Sequence, residues 1–230
     1  TVWFSAMLLG PEDRISANYE GMAQWALQAK NYNIDSVEIC GWDKGGQDRD
    51  YPEYVPDERL GGEKGFRNML RRMQSSGINP VLFANYNALD TASQWYKDDL
   101  KKFSRHDEYG SSENWLACGQ DTIQGRIGLS VRRQLWASAS CREFQEMVAK
   151  YFVQLARWGV KALQLDKTGS SDQMLDFNPL SGTKPDVAMP EGTVRAIEFL
   201  LDKCKEVDPE FCFATEASSD RFLPYIDVYY

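Results

Sequence analysis

One histidine, His106, is all that the chain of 230 residues contains. A Ser-His-Asp triad or a histidine-built zinc centre is therefore disfavoured, since both draw on imidazole. His106 lies in the polar stretch SRHDEYG and reads as a surface-loop residue. Cysteine is also sparse: Cys40, Cys118, Cys141, Cys204 and Cys212 are odd in number, widely spaced and free of any CxxC pair. Neither a disulfide framework nor a zinc site follows from that spacing, and Cys40 and Cys212 read as small buried hydrophobes. No GxGxxG follows the first apolar run and no Walker A sequence occurs, so neither nucleotide-binding fingerprint is present. Basic clusters are lacking too. The formal charge is −8, which argues against nucleic acid as a partner. No apolar run approaches the ~18 residues of a membrane span. No basic-apolar-small signal segment opens the sequence, which starts at Thr1 rather than Met, and the compartment stays open.

What is present is a good core and a repeating pattern. The chain is 43% hydrophobic and 26% charged, ordinary values for a globular protein. VWFSAMLLG, IDSVEICGW, GINPVLFANYNALD, VKALQLD, EFCFATE and IDVYY read as strands, being apolar and bounded by Gly, Pro or Asp. Between them lie stretches with apolar residues every three or four positions. These are 18–32 (Met22, Trp25, Ala26, Ala29), 63–76 (Phe66, Met69, Leu70, Met73), 141–158 (Phe144 through Trp158) and 191–207 (Ile197 through Val207). Strands separated by such helices predict a parallel α/β sheet, either open and doubly wound or closed as a (β/α)8 TIM-type barrel. The barrel is preferred, because polar and aromatic residues recur at successive C-terminal strand ends, which a barrel gathers at one mouth. Six strands are visible, so residues 1–230 are expected to form a single catalytic barrel domain truncated after about six strands, part of a longer chain. Two long segments, about 41–62 and 89–140, follow C-terminal strand ends, where long loops are usually functional.

The strand GVKALQLDKTGSS ends on Asp166 and Lys167 before a Gly-Ser loop. Asp at such a turn often only caps the next helix. The following strand, however, ends on Glu216 in the same way. Two carboxylates on adjacent parallel strands can face one another, and repulsion separates their pKa values. Glycoside hydrolysis needs such a pair, one group to attack or stabilise the anomeric carbon and one to protonate the leaving oxygen. The loop GWDKGGQDRDYPEY adds Trp42, Tyr51 and Tyr54 as flat apolar faces, with Asp43, Lys44, Asp48 and Arg49 as hydrogen-bonding groups. That mixture suits sugars, although a solvated loop has much the same composition. Trp42 is expected as a rim aromatic bordering the same cavity as Asp166. Asp166, Asp172 and Asp176 match no calcium-loop spacing, and neither a metal nor a cofactor is implied.

The stretch VEICGWDKGGQDRDYPEYVPDERLGG, with GVKALQLDKTG and FCFATEASSD, resembles a family of (β/α)8 glycoside-hydrolase-like proteins distantly similar to the α-galactosidase and α-amylase groups. The resemblance implies a retaining glycosidase with Asp166 as nucleophile and Glu216 as acid/base. It also implies that Trp42, Asp43, Lys44 and Asn85 line the sugar site, with Lys167 and Arg49 as further contacts. Ala162 departs from the pattern's Gly or Asp, and in α-galactosidase relatives the acid comes from a later strand. Two other classes remain: a carbohydrate-binding barrel without activity, and a lyase or aldolase using Lys167 as Schiff-base amine. The sugar, the linkage and the oligomeric state are not legible.

Overall fold

The computed structural model describes residues 3–11, 13–116, 133–171, 173–216 and 219–229. Cys118 and Asp172 lie outside them. Six parallel strands form the main sheet: β1 (Trp3–Met7), β2 (Ser36–Cys40), β3 (Asn79–Ala84), β7 (Ala162–Leu165), β8 (Cys212–Thr215) and β9 (Val228–Tyr229). Their order across the sheet follows the order along the chain. The register runs Ser5 to Glu38, Glu38 to Val81, Phe83 to Gln164 and Gln164 to Ala214. Every neighbouring pair is parallel, as the strand-helix alternation predicts. The sheet curls as half a barrel does. A doubly wound order would reverse direction across the sheet, and no such switch occurs among the described strands.

Helices cover the outer face of the sheet. α1 (Tyr19–Ala29) starts at Asn18, whose side chain accepts the Gly21 N–H at 2.9 Å and so satisfies one free donor of the first turn. α2 (Gly62–Ser75) buries Phe66, Met69, Leu70 and Met73, the helical stripe visible in the sequence. α1 and α2 pack against each other. Two longer helices are described below with the segment that precedes them. Among the described residues no helix is long and apolar enough to cross a membrane.

The segment after β3 departs from expectation. The run read as one strand to Asp90 ends at Ala84, turns through Asn85–Asn87 and starts a second sheet. That sheet is antiparallel and ordered β4 (Ala88–Asp90), β6 (Arg133–Trp136), β5 (Asn114–Leu116). A short helix, α3 (Gln94–Asp98), lies between β4 and β5. Alternation was hidden because β4 is only three residues long and all three are buried. α4 (Arg142–Arg157) then returns to the main sheet, burying Phe144, Val148, Phe152 and Leu155. The one-turn α5 (Pro185–Ala188) and α6 (Pro190–Lys205) precede β8. α4 and α6 pack together.

The 41–62 loop is not a surface excursion. Gly41 has φ 59° and Gly46 φ 81°, and a Cβ on either would collide with the Leu9 carbonyl oxygen. Glycine at both positions therefore lets the loop lie against the end of β1. This folding carries Trp42, Tyr51 and Tyr54 inward, all at most 2% exposed.

Candidate active site

The C-terminal ends of β3, β7 and β8 converge on one carboxylate. Asp166 directly follows β7, and its N–H donates to the Ala84 carbonyl at the end of β3. Its Oδ2 accepts a hydrogen bond from Asn85 Nδ2 at 2.8 Å and one from Lys167 Nζ at 2.6 Å. Lys167 is held at φ 55°, a left-handed backbone that non-glycine residues rarely adopt. That turn folds the lysine head back onto its own neighbour. Glu216, directly after β8, shares a hydrogen bond with the Asp166 carboxyl and also accepts the backbone N–H of Lys167. Asp166 is buried, whereas Glu216 is exposed.

The electrostatics follow from this arrangement. Burial, and then the hydrogen bond that the protonated Asp166 donates to Glu216, push Asp166 up to about 8, against the opposing pull of Lys167. Glu216 is held below the usual carboxylate range by its hydrogen bond to Asp166, helped by the Lys167 charge and N–H. Two carboxyls this close cannot both ionise freely, so the pair retains one proton at neutral pH and titrates as a unit. Burial pulls Lys167 down, but Asp166 outweighs it and the ammonium is held above its ordinary range.

Around this centre stand buried polar groups. Asp43 is 1% exposed, and burial, then the charges of Asp48, Asp50 and Asp57, raise it well above the carboxylate range. Asp43 follows β2 and Asp166 follows β7 in the same parallel sheet, so both acids stand at its C-terminal end, and the charges of both bear on Tyr54 and on Cys40. Burial raises the Cys40 thiol to about 12, so it carries no thiolate chemistry at neutral pH. Asp43 Oδ2, Tyr54 Oη, Asn85 Oδ1 and both amide atoms of Gln164 have no hydrogen-bond partner among the described residues. Buried polar atoms are nearly always paired. Such a concentration at one strand end is a ready set of contacts for a polyhydroxylated molecule.

Of the eight residues singled out in the sequence, four meet directly: Asp166, Glu216, Asn85 and Lys167. Asp43 stands beside them. The other three do not. Trp42 is fully buried, stacked between Phe66 (centroids 5.2 Å apart) and Tyr54 (6.4 Å). Its indole N–H donates to the Phe83 carbonyl at 2.9 Å. With no exposed surface left, Trp42 is a core wedge rather than a rim aromatic. Lys44 points to the surface and pairs with Glu53 at 2.6 Å. Arg49 is bound to Asp13 at 2.8 Å and to the Pro11 carbonyl at 2.6 Å, tying the loop to the segment after β1.

Two contributors from the loop motif carry more than the sequence reading assigns them, and a third, Gln164, escapes it. Tyr54 belongs to the loop motif but was weighed only as a flat face. Asp48 lies close enough for its charge to raise Lys167. Gln164 is the one polar residue in the apolar strand ALQL, on the same face as Asp166 two residues on. That break in the strand was the available signal.

Solved structures share this architecture. The α-galactosidase from Thermus thermophilus, in complex with p-nitrophenyl α-D-galactopyranoside, superposes with a TM-score of 0.68 at 15% identity, over 99% of this chain and 40% of that one. The α-N-acetylgalactosaminidase from Bifidobacterium bifidum, in its GalNAc complex, gives 0.75 at 14% identity, over 99% and 36%. The α-galactosidase of glycoside hydrolase family 36 from Geobacillus stearothermophilus gives 0.60 at 12% identity, over 86% and 26%. The chain thus spans well under half the length of these enzymes. At such identities the likeness is one of fold, a distant similarity to glycoside hydrolases. No curated protein matches the sequence. A family model does match residues 14–230, and the chain belongs to that family, the domain of unknown function DUF6259.

Proposed function

We propose that the protein is a retaining glycoside hydrolase in which Asp166 is the nucleophile and Glu216 the acid/base, and that its six parallel strands belong to a (β/α)8 barrel. One observation carries the reading: two carboxyls at adjacent strand ends share a hydrogen bond, while Lys167 and Asn85 both donate to Oδ2 of the more buried one. The glycosidase-like fold supports it.

A retaining cycle needs one proton on the pair. Asp166 as carboxylate attacks the anomeric carbon while Glu216 as acid protonates the departing oxygen. Glu216 as carboxylate then takes a proton from water, whose oxygen displaces Asp166 from that carbon. In the resting site burial keeps the proton on Asp166. Lys167 and Asn85 favour the ionised Asp166 that attack requires, so the proton must pass to Glu216 as substrate binds. Retaining carboxyls stand roughly 5–5.5 Å apart, with the sugar's anomeric carbon between them. Glu216, exposed and beyond the end of its strand, is the partner free to swing out as a sugar ring enters.

Each rival has less support here. A sugar-binding barrel built on Trp42 and Asp43 keeps only Asp43, since the Trp42 ring is fully buried. A Schiff-base lysine needs a depressed pKa, and Lys167 is raised. The galactosyl substrates of the structural neighbours make α-galactosides and α-N-acetylgalactosaminides the first compounds to assay. Full-length protein that releases nitrophenol from one of these, with the product's anomeric configuration retained by NMR, supports the reading. Inversion of configuration, or inactivity across α- and β-glycosides and galactofuranosides, contradicts it.

A further inference from the structure

On the outer side of the small antiparallel sheet lies a cleft of about 720 Å³, within the size range of small-molecule sites. Its ionisable lining is basic: Lys97, Lys101, His106 and Arg133 face it, beside Tyr96 and Ser111. Among the described residues no acid lines it, although the chain as a whole carries −8. Among the described residues, the side chains of Lys97, Lys101, His106 and Arg133 have no ion-pair or hydrogen-bond partner. Of the acids next to the cleft in sequence, Asp98 accepts Gln94 Nε2 and Asp99 pairs with Lys102. Asp107 caps the Tyr109 and Ser111 N–H groups, and Glu113 pairs with Arg105. Among the described residues, none of these four acids pairs with a cation of the cleft.

The cleft is separate from Asp166. Along β6, Gln134 faces the opposite way and donates to the Asp48 carbonyl at 3.3 Å, while Arg133 and Leu135 face the cleft, as strand alternation requires. Tyr96 and the hydroxyls of Thr91, Ser104 and Ser112 also line it; these hydroxyls donate to the Arg133 carbonyl, the Lys101 carbonyl and Ser104 Oγ, which leaves their oxygens as acceptors for a sugar's O–H groups. Guanidinium with ammonium groups suits oxyanions.

We infer that this cleft is a second binding site, which takes the acidic groups of a sulfated or carboxylated carbohydrate. The carbohydrate part rests on the glycosidase reading; the anion part rests on the lining alone. Calorimetric titration of the full-length protein separates them. Sucrose octasulfate should bind with one-to-one stoichiometry and weaken as salt rises, while sucrose should bind at least 100-fold more weakly. The double substitution Lys97→Gln/Lys101→Gln and the single Arg133→Gln should each weaken sucrose octasulfate at least tenfold. Lys64→Gln, on α2 away from the cleft, should leave it unchanged, and unshifted melting curves check that the variants fold. Asp166→Asn should bind normally even if hydrolysis is lost, so failure of the catalytic reading and failure of this one are distinct results. Equal weakening by Lys64→Gln and the cleft variants, or no binding at all, overturns the site. Inorganic sulfate binding as tightly as the sulfated sugar overturns its carbohydrate part.

Discussion

Lys167 Nζ lies 2.6 Å from Asp166 Oδ2, and the lysine adopts a left-handed backbone with φ 55° to reach it. Strain of this kind, of order 1–3 kcal/mol, persists where surrounding structure holds it and clusters at functional sites. Here it sets a cation against the carboxylate proposed to attack the sugar. Lys167→Gly would relax the backbone and remove the charge together, whereas Lys167→Met removes only the charge. Both should cut kcat/KM at least 100-fold, with Lys167→Gly the better folded by thermal melting. A Lys167→Met variant of unchanged kcat/KM would leave the ion pair structural.

Asp166→Asn should abolish turnover. Its stability at neutral pH should stay within about 1 kcal/mol, because weakened hydrogen bonding to Lys167 and Glu216 is offset by relief of a buried ionisable group. The sign follows from the raised pKa. A carboxyl whose folded pKa stands above its unfolded value favours the folded state when protonated. That contribution is full below the unfolded pKa of about 3.9 and is lost as pH climbs toward about 8. Denaturant unfolding of both proteins between pH 4 and 9 should therefore show the wild type losing more stability than the variant.

Activity should be bell-shaped in pH. Above about 8 the pair loses its last proton and cannot protonate the leaving group. At acid pH, below the ordinary carboxylate range, Glu216 also binds a proton and no carboxylate remains to attack. A kcat/KM profile with only one limb would contradict a shared proton. Glu216→Gln should slow alkyl glycosides far more than nitrophenyl glycosides, since activated leaving groups need no acid.

The main sheet and its four long helices were legible because each buries one regular face, and regular burial leaves a period in the sequence. Asp166 and Glu216 were legible for a related reason: an acid at the end of an apolar strand breaks a pattern. Trp42 was not, because composition cannot tell a loop that lies on the surface from one that folds inward. That difference is made by Gly41 and Gly46 against the Leu9 carbonyl, a contact between segments far apart in the chain. The small sheet escaped for want of length, with three-residue strands at β4 and β5.

The burial of Trp42 reverses the expectation for its substitution. Trp42→Ala removes a ring stacked on Phe66 and Tyr54 and orphans the Phe83 carbonyl. The cost should be about 3–5 kcal/mol, the usual range for deleting a buried aromatic, read as a lowered denaturant midpoint. A change below about 1 kcal/mol would mean that the ring is not packed as described.

Asp43→Asn should act in the opposite direction. The carboxyl is buried with three acids nearby and raised by burial, so its ionisation opposes folding at neutral pH. The amide should stabilise the protein by about 1 kcal/mol, a typical gain for a single favourable substitution. Sugar affinity should fall if Asp43 Oδ2 meets a hydroxyl. Stability that is unchanged or reduced at pH 7 would contradict the burial of an unfavoured charge.

The central claim is that Asp166 attacks the anomeric carbon. It is tested most directly by treating the full-length protein with a 2-deoxy-2-fluoroglycosyl fluoride of the sugar it cleaves and mapping the adduct by peptide mass spectrometry. The account predicts one fluoroglycosyl group per chain, esterified to Asp166, and none in Asp166→Asn. An adduct on Glu216, or hydrolysis with inversion and no adduct, would contradict it.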